Sequence, residues 1–384
     1  MMFAMTREAV FRPARILVVD DHAANRALVE VLLKAAGTGE ILQAPGGEEG
    51  LAMALEHRPD LLVLDLMMPG MDGFEVCRRL RADPTMDDMP ILVQTALDGA
   101  DERAQVFDMG ASDLVVKPIN AREFLARARV HLENRLLVRS LRDSQQRMTT
   151  ELKAARAMQE AILPSPAVLA EIRATLGLSV EAVFEPSSEI GGDLWGVHRL
   201  GGGQLGLFTI DFSGHGVSAA LNVFRLHALM ADHPPDPNDP AGYLEHLNDL
   251  LVRVLPRGQF ATMFYGVIDR QAETLVYAAA GAPDPLLDGV ALDGSGLPLG
   301  ILAGARHDNR HCAFGDGSTL FLYSDALTET PLSSGAPLGE EGLAAMLARA
   351  DRSASPEVLL AEFRAAAPRE LPDDLTAVVV RAAP

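Results

Sequence analysis

Ile16-Leu17-Val18-Val19-Asp20-Asp21 is the stretch that decides the first half of the fold. Four aliphatic residues are too few for a helix, and the two carboxylates that follow mark the end of a buried strand. The same form returns at Leu61-Leu62-Val63-Leu64-Asp65. Working outward, residues 41–44, 91–93 and 114–116 are further short runs rich in Val, Ile and Leu, and amphipathic stretches such as 24–36 and 48–56 lie between the runs. Five strands alternating with helices predict a doubly wound α/β domain with a five-stranded parallel sheet over residues 14–130. In such a sheet the site lies at the carboxyl ends of the strands. Asp20, Asp21 and Asp65 stand there, with Thr95 ending the fourth run and Lys117 the fifth.

Adjacent carboxylates repel one another unless a cation or a lysine neutralises them. Three carboxylates with a backbone carbonyl form a hard-oxygen set suited to Mg²⁺. Lys117 can neutralise a phosphoryl oxygen and Thr95 can hydrogen-bond another. On these residues, 14–130 resembles the receiver domain of bacterial response regulators. The resemblance implies that Asp65 is the nucleophile taking a phosphoryl group from a sensor histidine kinase or phosphotransfer protein. It implies Mg²⁺ held by Asp21, Asp65 and the Met67 carbonyl, with Asp20 acting through water. Thr95 and Lys117 would read the phosphoryl group, and Lys117–Pro118 would be cis. One departure matters: receivers usually carry an aromatic residue three positions before the lysine, and here that residue is Leu114. Output is therefore expected through the last helix rather than through a rotating ring.

From about 127 to 163 the chain has neither Pro nor Gly, and Pro164 and Pro166 close the segment. Leu137, Leu141, Met148, Ala155, Met158 and Ile162 recur at steps of three, four or seven residues. This predicts a long helical linker, residues 131–163, able to pair as a coiled coil in a homodimer. Ser144 and Glu151 interrupt the seam and make the pairing adjustable.

Residues 164–384 read as an α+β domain with sheets at its core. Strands are expected at 180–184, 205–210, 263–268, 275–279, 319–323 and 377–381, and helices at 219–230 and 243–255. Asp193 follows two glycines, Asp211 ends an apolar run before Phe212-Ser213-Gly214-His215-Gly216, Asp325 follows Tyr323-Ser324, and Asp373-Asp374 precedes the last run. Acidic clusters with no cysteine favour Mg²⁺ or Mn²⁺ over zinc. Two such ions can activate a bridging water for in-line attack on phosphorus.

The segment from about 154 resembles the metal-dependent Ser/Thr phosphatases (PPM superfamily) in their SpoIIE-like branch. The likeness includes Ala155-Arg156-Ala157-Met158-Gln159-Glu160-Ala161-Ile162-Leu163-Pro164, Tyr277-Ala278-Ala279-Ala280-Gly281, Ser324-Asp325-Ala326-Leu327-Thr328-Glu329 and Asp373-Asp374-Leu375-Thr376. It implies two packed antiparallel sheets flanked by helices. It also implies that Asp211 bridges two Mn²⁺ or Mg²⁺ ions, that the Phe212 carbonyl binds one, and that Asp193, Asp325 and Asp373 complete the set. His215 is assigned a packing or supporting role, and Trp195 a place in the core. Ala326 stands where the family has Gly, and Ala282-Pro283 replaces its His-Asn.

The formal charge of −20 argues against sequence-independent binding to nucleic acid or anionic lipid. No apolar run nears the length of a membrane span, and the first dozen residues lack a signal-peptide core. Two isolated cysteines, Cys77 and Cys312, suit a reducing cytoplasm. The expectation is a cytoplasmic response regulator whose phosphorylation at Asp65 controls a protein phosphatase. Its substrate by resemblance is a phosphorylated anti-sigma-factor antagonist in a stress response. The alternative is an adaptor that binds a sigma factor without catalysis; relatives of that kind have lost the acidic ligands, which this chain keeps.

Overall fold

The structure is a computed structural model and describes residues 11–96, 100–214, 216–351 and 353–383. It divides into two compact units, Met1–Met148 and Thr149–Pro384.

In the first unit the chain runs β1 (Arg15–Val19), α1 (Ala23–Ala35), β2 (Glu40–Ala44), α2 (Gly47–His57), β3 (Leu61–Asp65), α3 (Gly73–Arg81), β4 (Ile91–Thr95), α4 (Ala100–Asp108), β5 (Asp113–Val116) and α5 (Ala121–Ile162). All five strands are parallel, in the order β2-β1-β3-β4-β5. This is the expected doubly wound sheet. Alternate strand residues face opposite ways, and each set finds its own helices. Leu17, Val19, Leu62, Leu64 and Val93 pack on one face with Val76 and Leu80 of α3. Ile16, Val18, Leu61, Val63 and Leu92 pack on the other with Val29 and Leu33 of α1 and Phe124 and Leu132 of α5. Cys77 is buried in α3, and Leu114 is buried in β5. The order sets β1, β3, β4 and β5 side by side, which brings Asp20, Asp65, Thr95 and Lys117 at their carboxyl ends to one edge.

Helix α5 has 42 residues and starts at Ala121, six residues before the change in composition at Arg127. Its first turns belong to the receiver-like core, through Phe124, Ala128 and Leu132. Beyond them Leu137, Leu141, Met148 and Met158 are exposed. Ile162, the last residue of the expected seam, instead packs against the core of the second unit.

The second unit continues with α6 (Pro166–Leu176), β6 (Leu178–Glu185), β7 (Asp193–Gly201), β8 (Gln204–Phe212), α7 (Val217–Asp232), α8 (Pro240–Val254), β9 (Ala261–Asp269) and β10 (Thr274–Ala280). It ends with β11 (Leu286–Leu287), β12 (Val290–Ala291), β13 (Arg310–Ala313), β14 (Thr319–Tyr323), the helices α9 (Ala326–Glu329), α10 (Gly339–Arg349), α11 (Pro356–Leu359) and α12 (Ala361–Ala366), and β15 (Leu375–Ala382). Two antiparallel five-stranded sheets result, β13-β10-β9-β8-β7 and β12-β11-β14-β15-β6. Their inner faces share one core: Trp195, Leu205, Leu207, Phe264 and Ile268 meet Val180, Leu320, Leu322, Val378 and Val380. The outer face of the first sheet is covered by α7 and α8 through Val223, Leu226, Leu244 and Leu247. The outer face of the second is covered by residues such as Leu327, Leu343, Leu359 and Phe363. The expected sandwich flanked by helices is present, with Trp195 in its core.

Candidate functional site

At the first edge, Asp20 directly follows β1, Asp65 is the last residue of β3, and both are buried. Lys117 directly follows β5 and its Nζ donates to Asp65 Oδ2 at 2.7 Å and to Asp20 Oδ2 at 3.0 Å. One ammonium thus joins two carboxylates from different strands. Burial raises the Asp65 carboxyl and the Asp20 charge adds to that, while Lys117 offsets part of it. Burial works against the charged lysine, but its bonds to Asp65 and Asp20 leave its pKa raised. Thr95 is buried at the end of β4, and its carbonyl accepts from Lys117 N at 2.7 Å. The Lys117–Pro118 bond is cis, as expected. Met67 lies just past Asp65 and its N–H reaches Asp65 Oδ1 at 3.5 Å.

Three residues that the sequence reading missed hold this edge. Asn25 Nδ2 donates to both Asp20 oxygens, at 3.1 and 3.0 Å, and His22 N donates to Asp20 Oδ1 at 2.8 Å. Arg26 Nη1 donates to the Asp20 carbonyl at 2.7 Å. Their signal was position: all three fall at the start of α1, directly after the acidic pair. Among the described residues, Asp20, Asp21 and His22 are the group whose ligand atoms lie close enough together to share one ion. His22 Nδ1 stands 2.7 Å from Asp21 Oδ1.

The second site is built where β7 and β8 pair. Asp193 opens β7, and its register partner is Asp211 on β8. Asp193 is buried, and Thr376 of β15 donates to its Oδ2 at 2.5 Å. Burial raises the Asp211 carboxyl to about 8, and Asp325, Asp373 and Asp374 push the same way. Burial, then Asp373 and Glu329, raise Asp325 to about 6. Burial, then Asp211, raise Asp193 well above the carboxylate range. Four acidic side chains from two sheets therefore strain against one another, and no lysine or arginine is paired with any of them among the described residues. Such an all-oxygen, uncompensated donor set fits divalent cations.

Asp374 is different. Its Oδ1 accepts from Ser187 N at 2.6 Å and Ser187 Oγ at 2.9 Å, and its Oδ2 accepts from Gly192 N at 2.5 Å. Both oxygens are occupied in holding the loop before β7. A Cβ on Gly191 would lie 2.3 Å from Asp374 Oδ2, so only glycine fits there. The same loop is gripped from α5: Gln159 is fully buried, its Nε2 donates to the Gly191 carbonyl at 2.8 Å, and its Oε1 accepts from Gly191 N at 3.1 Å. Ser324 Oγ donates to the Asp374 carbonyl and accepts from Thr376 N, each at 2.9 Å. Gln159, Ser187, Ser324 and Thr376 were not assigned from sequence as site residues. A small cavity beside Asp193 and Asp211 is lined by Thr209, Thr262, Tyr323, Ala282 and Pro283. The position where the resemblance expects His-Asn thus presents apolar groups to the acidic site. Ala326 is buried at the start of α9. His215 lies outside the described residues.

The protein family described as Stage II sporulation protein E (SpoIIE) matches residues 201–383, and the response regulator receiver domain family matches residues 16–129. Response regulator PleD of Caulobacter vibrioides is 47% identical over 129 residues, which is 34% of this chain and 28% of that protein. The DNA-binding dual master transcriptional regulator RpaA of Synechocystis is 46% identical over 118 residues, 31% of this chain and 48% of that protein. The chain spans less than half the length of either relative. A solved structure of the SiaA-PP2C domain of Pseudomonas aeruginosa, 22% identical with a TM-score of 0.54, covers 62% of this chain and 98% of its own, a likeness of fold. The chain therefore carries a match to the response-regulator receiver domain family at residues 16–129 and a match to the SpoIIE family at residues 201–383, each over less than half of its length.

Proposed function

We propose that this protein is a response regulator in which phosphorylation of Asp65 controls a divalent-metal-dependent protein-serine/threonine phosphatase. The functional division is a receiver domain over 14–130, a helical linker over 131–163 and a phosphatase domain over 164–384. The observation that carries the catalytic half is the cluster of Asp193, Asp211, Asp325 and Asp373, in which burial and neighbouring acidic charge raise the Asp193, Asp211 and Asp325 carboxyls with no basic partner among the described residues. Asp211, the Phe212 carbonyl, Asp193, Asp325 and Asp373 would hold two Mn²⁺ or Mg²⁺ ions, which would supply positive charge to the phosphoryl oxygens and acidity to a water. Thr376 orients Asp193, and Asp374 with Gln159 fixes the glycine loop in front of it.

In the receiver half Asp65 is the acceptor of a phosphoryl group from a kinase or phosphotransfer protein. Asp21, Asp65 and the Met67 carbonyl would hold Mg²⁺, with Asp20 acting through water. The ammonium of Lys117, now shared by Asp20 and Asp65, reads the incoming charge with Thr95. A phosphoserine or phosphothreonine protein is the substrate class, and an anti-sigma-factor antagonist is the candidate suggested by resemblance. No helix among the described residues is long and apolar enough to cross a membrane, which agrees with a cytoplasmic setting.

The test is Mn²⁺-dependent hydrolysis of p-nitrophenyl phosphate by the full chain, with and without beryllofluoride. Metal-dependent turnover that changes with beryllofluoride, and is lost in Asp211→Asn, supports the reading. Absence of turnover in both states, with Asp211→Asn indistinguishable, overturns it in favour of a non-catalytic adaptor.

A further inference from the structure

A second cavity lies at the opposite end of the receiver sheet from Asp65, where the strands begin. It measures about 510 Å³ and is lined by Arg15, Arg58, Arg135, Arg139 and Arg142 together with His57. Three carboxylates, Glu40, Asp60 and Asp143, share the lining, so cations are in excess there although the chain as a whole carries −20.

The carboxylates hold some of these arginines in place. Arg15 Nε pairs with Glu40 at 2.7 Å, and Arg139 Nη1 with Asp60 at 3.2 Å. Asp60 itself is buried and accepts Arg15 N at 2.9 Å. Arg135 and Arg142 reach the same oxygen of Asp88. Two groups are left over. Arg58 is exposed, sits in the left-handed region at φ 46°, and makes no ion pair among the described residues. The Nε of Arg135 is buried without an acceptor. Burial lowers the Arg135 pKa and the Arg139 charge adds to that, while Asp60 opposes it.

We propose that this cavity binds a small phosphate-bearing anion of nucleotide size. Guanidinium forks match phosphate oxygens in pairs, which ammonium groups do not. The volume exceeds what one phosphate needs and falls within the range of roughly 300–1,000 Å³ usual for small-molecule sites. Arg15 comes from β1, His57 from the end of α2, Arg58 from the turn after it, and Arg135, Arg139 and Arg142 from α5. A bound anion would therefore pin the root of α5 to the sheet, independently of Asp65.

The experiment is isothermal titration calorimetry of the full chain in EDTA, which keeps divalent ions out of both acidic sites. Inorganic pyrophosphate and guanosine 5′-monophosphate are the probes. Saturable one-to-one binding is expected, weakened by added NaCl and at least tenfold weaker in Arg58→Asn/Arg139→Gln. Asn tolerates the backbone at position 58, and Arg58→Asn alone, a surface change, serves if the double variant fails to fold. No saturable heat from either probe at millimolar concentration overturns the proposal. Equal binding by wild type and variant overturns it too.

Discussion

Gln159 grips both backbone polar groups of a single residue, Gly191, at 2.8 and 3.1 Å, from a fully buried position. Replacing it with Leu strands a buried N–H and a buried carbonyl, each costing about 1–3 kcal/mol. Because Gly191 precedes the β7 aspartate, the expected result of Gln159→Leu is a lower urea midpoint together with a raised Mn²⁺ requirement. An unchanged Mn²⁺ half-saturation in a destabilised protein would show that Gln159 only supports packing. His198 offers a pH-dependent case. Burial, reinforced by His227, holds it down to about 4, and its Nδ1 stands 3.1 Å from the Tyr265 hydroxyl. A depressed histidine favours the neutral form in the fold, so its contribution is full above the unfolded value near 6.5 and is lost as pH falls toward 4. Between pH 7 and pH 5 the loss is about 2 kcal/mol. Urea midpoints for wild type and His198→Gln at both pH values check this: the variant should lose that share of the slope, and identical slopes refute it.

The elements differ in how openly the sequence declared them. The strands of the parallel sheet were legible because both faces are buried, which leaves uninterrupted aliphatic runs such as Leu61–Asp65. β7 was missed because Gly196, His198 and Arg199 interrupt its apolar residues, and β13 because its four residues open with Arg310 and His311. α6 was missed although Ser165-Pro166 is a cap with proline at the first position, and Ser165 does receive Val168 N. The acidic residues were legible as strand-end positions, but Gln159 was not. Its partner is 32 residues away, and no local pattern marks an amide that serves a distant loop. α5 carries a prediction of its own. Leu137 and Leu141 are exposed on a helix with no breaker, and a surface of that kind is covered in a coiled-coil dimer. Sedimentation of Leu137→Glu/Leu141→Glu should give a monomer where wild type gives a dimer. A wild-type chain that sediments as a monomer, with or without beryllofluoride, removes the pairing from the proposal.

At the scale of the whole molecule, a receiver that lacks the aromatic switch residue and an enzyme domain whose glycine loop is held by Gln159 share one continuous helix. A signal carried along a helix is carried by its rotation as well as its position, and each residue turns the helix by about 100°. Asp65→Asn should keep basal turnover and lose the response to a phosphodonor, because the acceptor is gone while the acidic site is intact. Insertions in the exposed stretch 143–150 then separate transmission from chemistry. Two added residues turn the far end by roughly 200° and set the seam against the wrong face, whereas seven restore the heptad phase at greater length. Basal p-nitrophenyl phosphate hydrolysis should survive both insertions. The beryllofluoride response should vanish with two residues and return with seven. A response that persists with two added residues would mean that α5 acts as a tether, and that phosphorylation reaches the enzyme by another route.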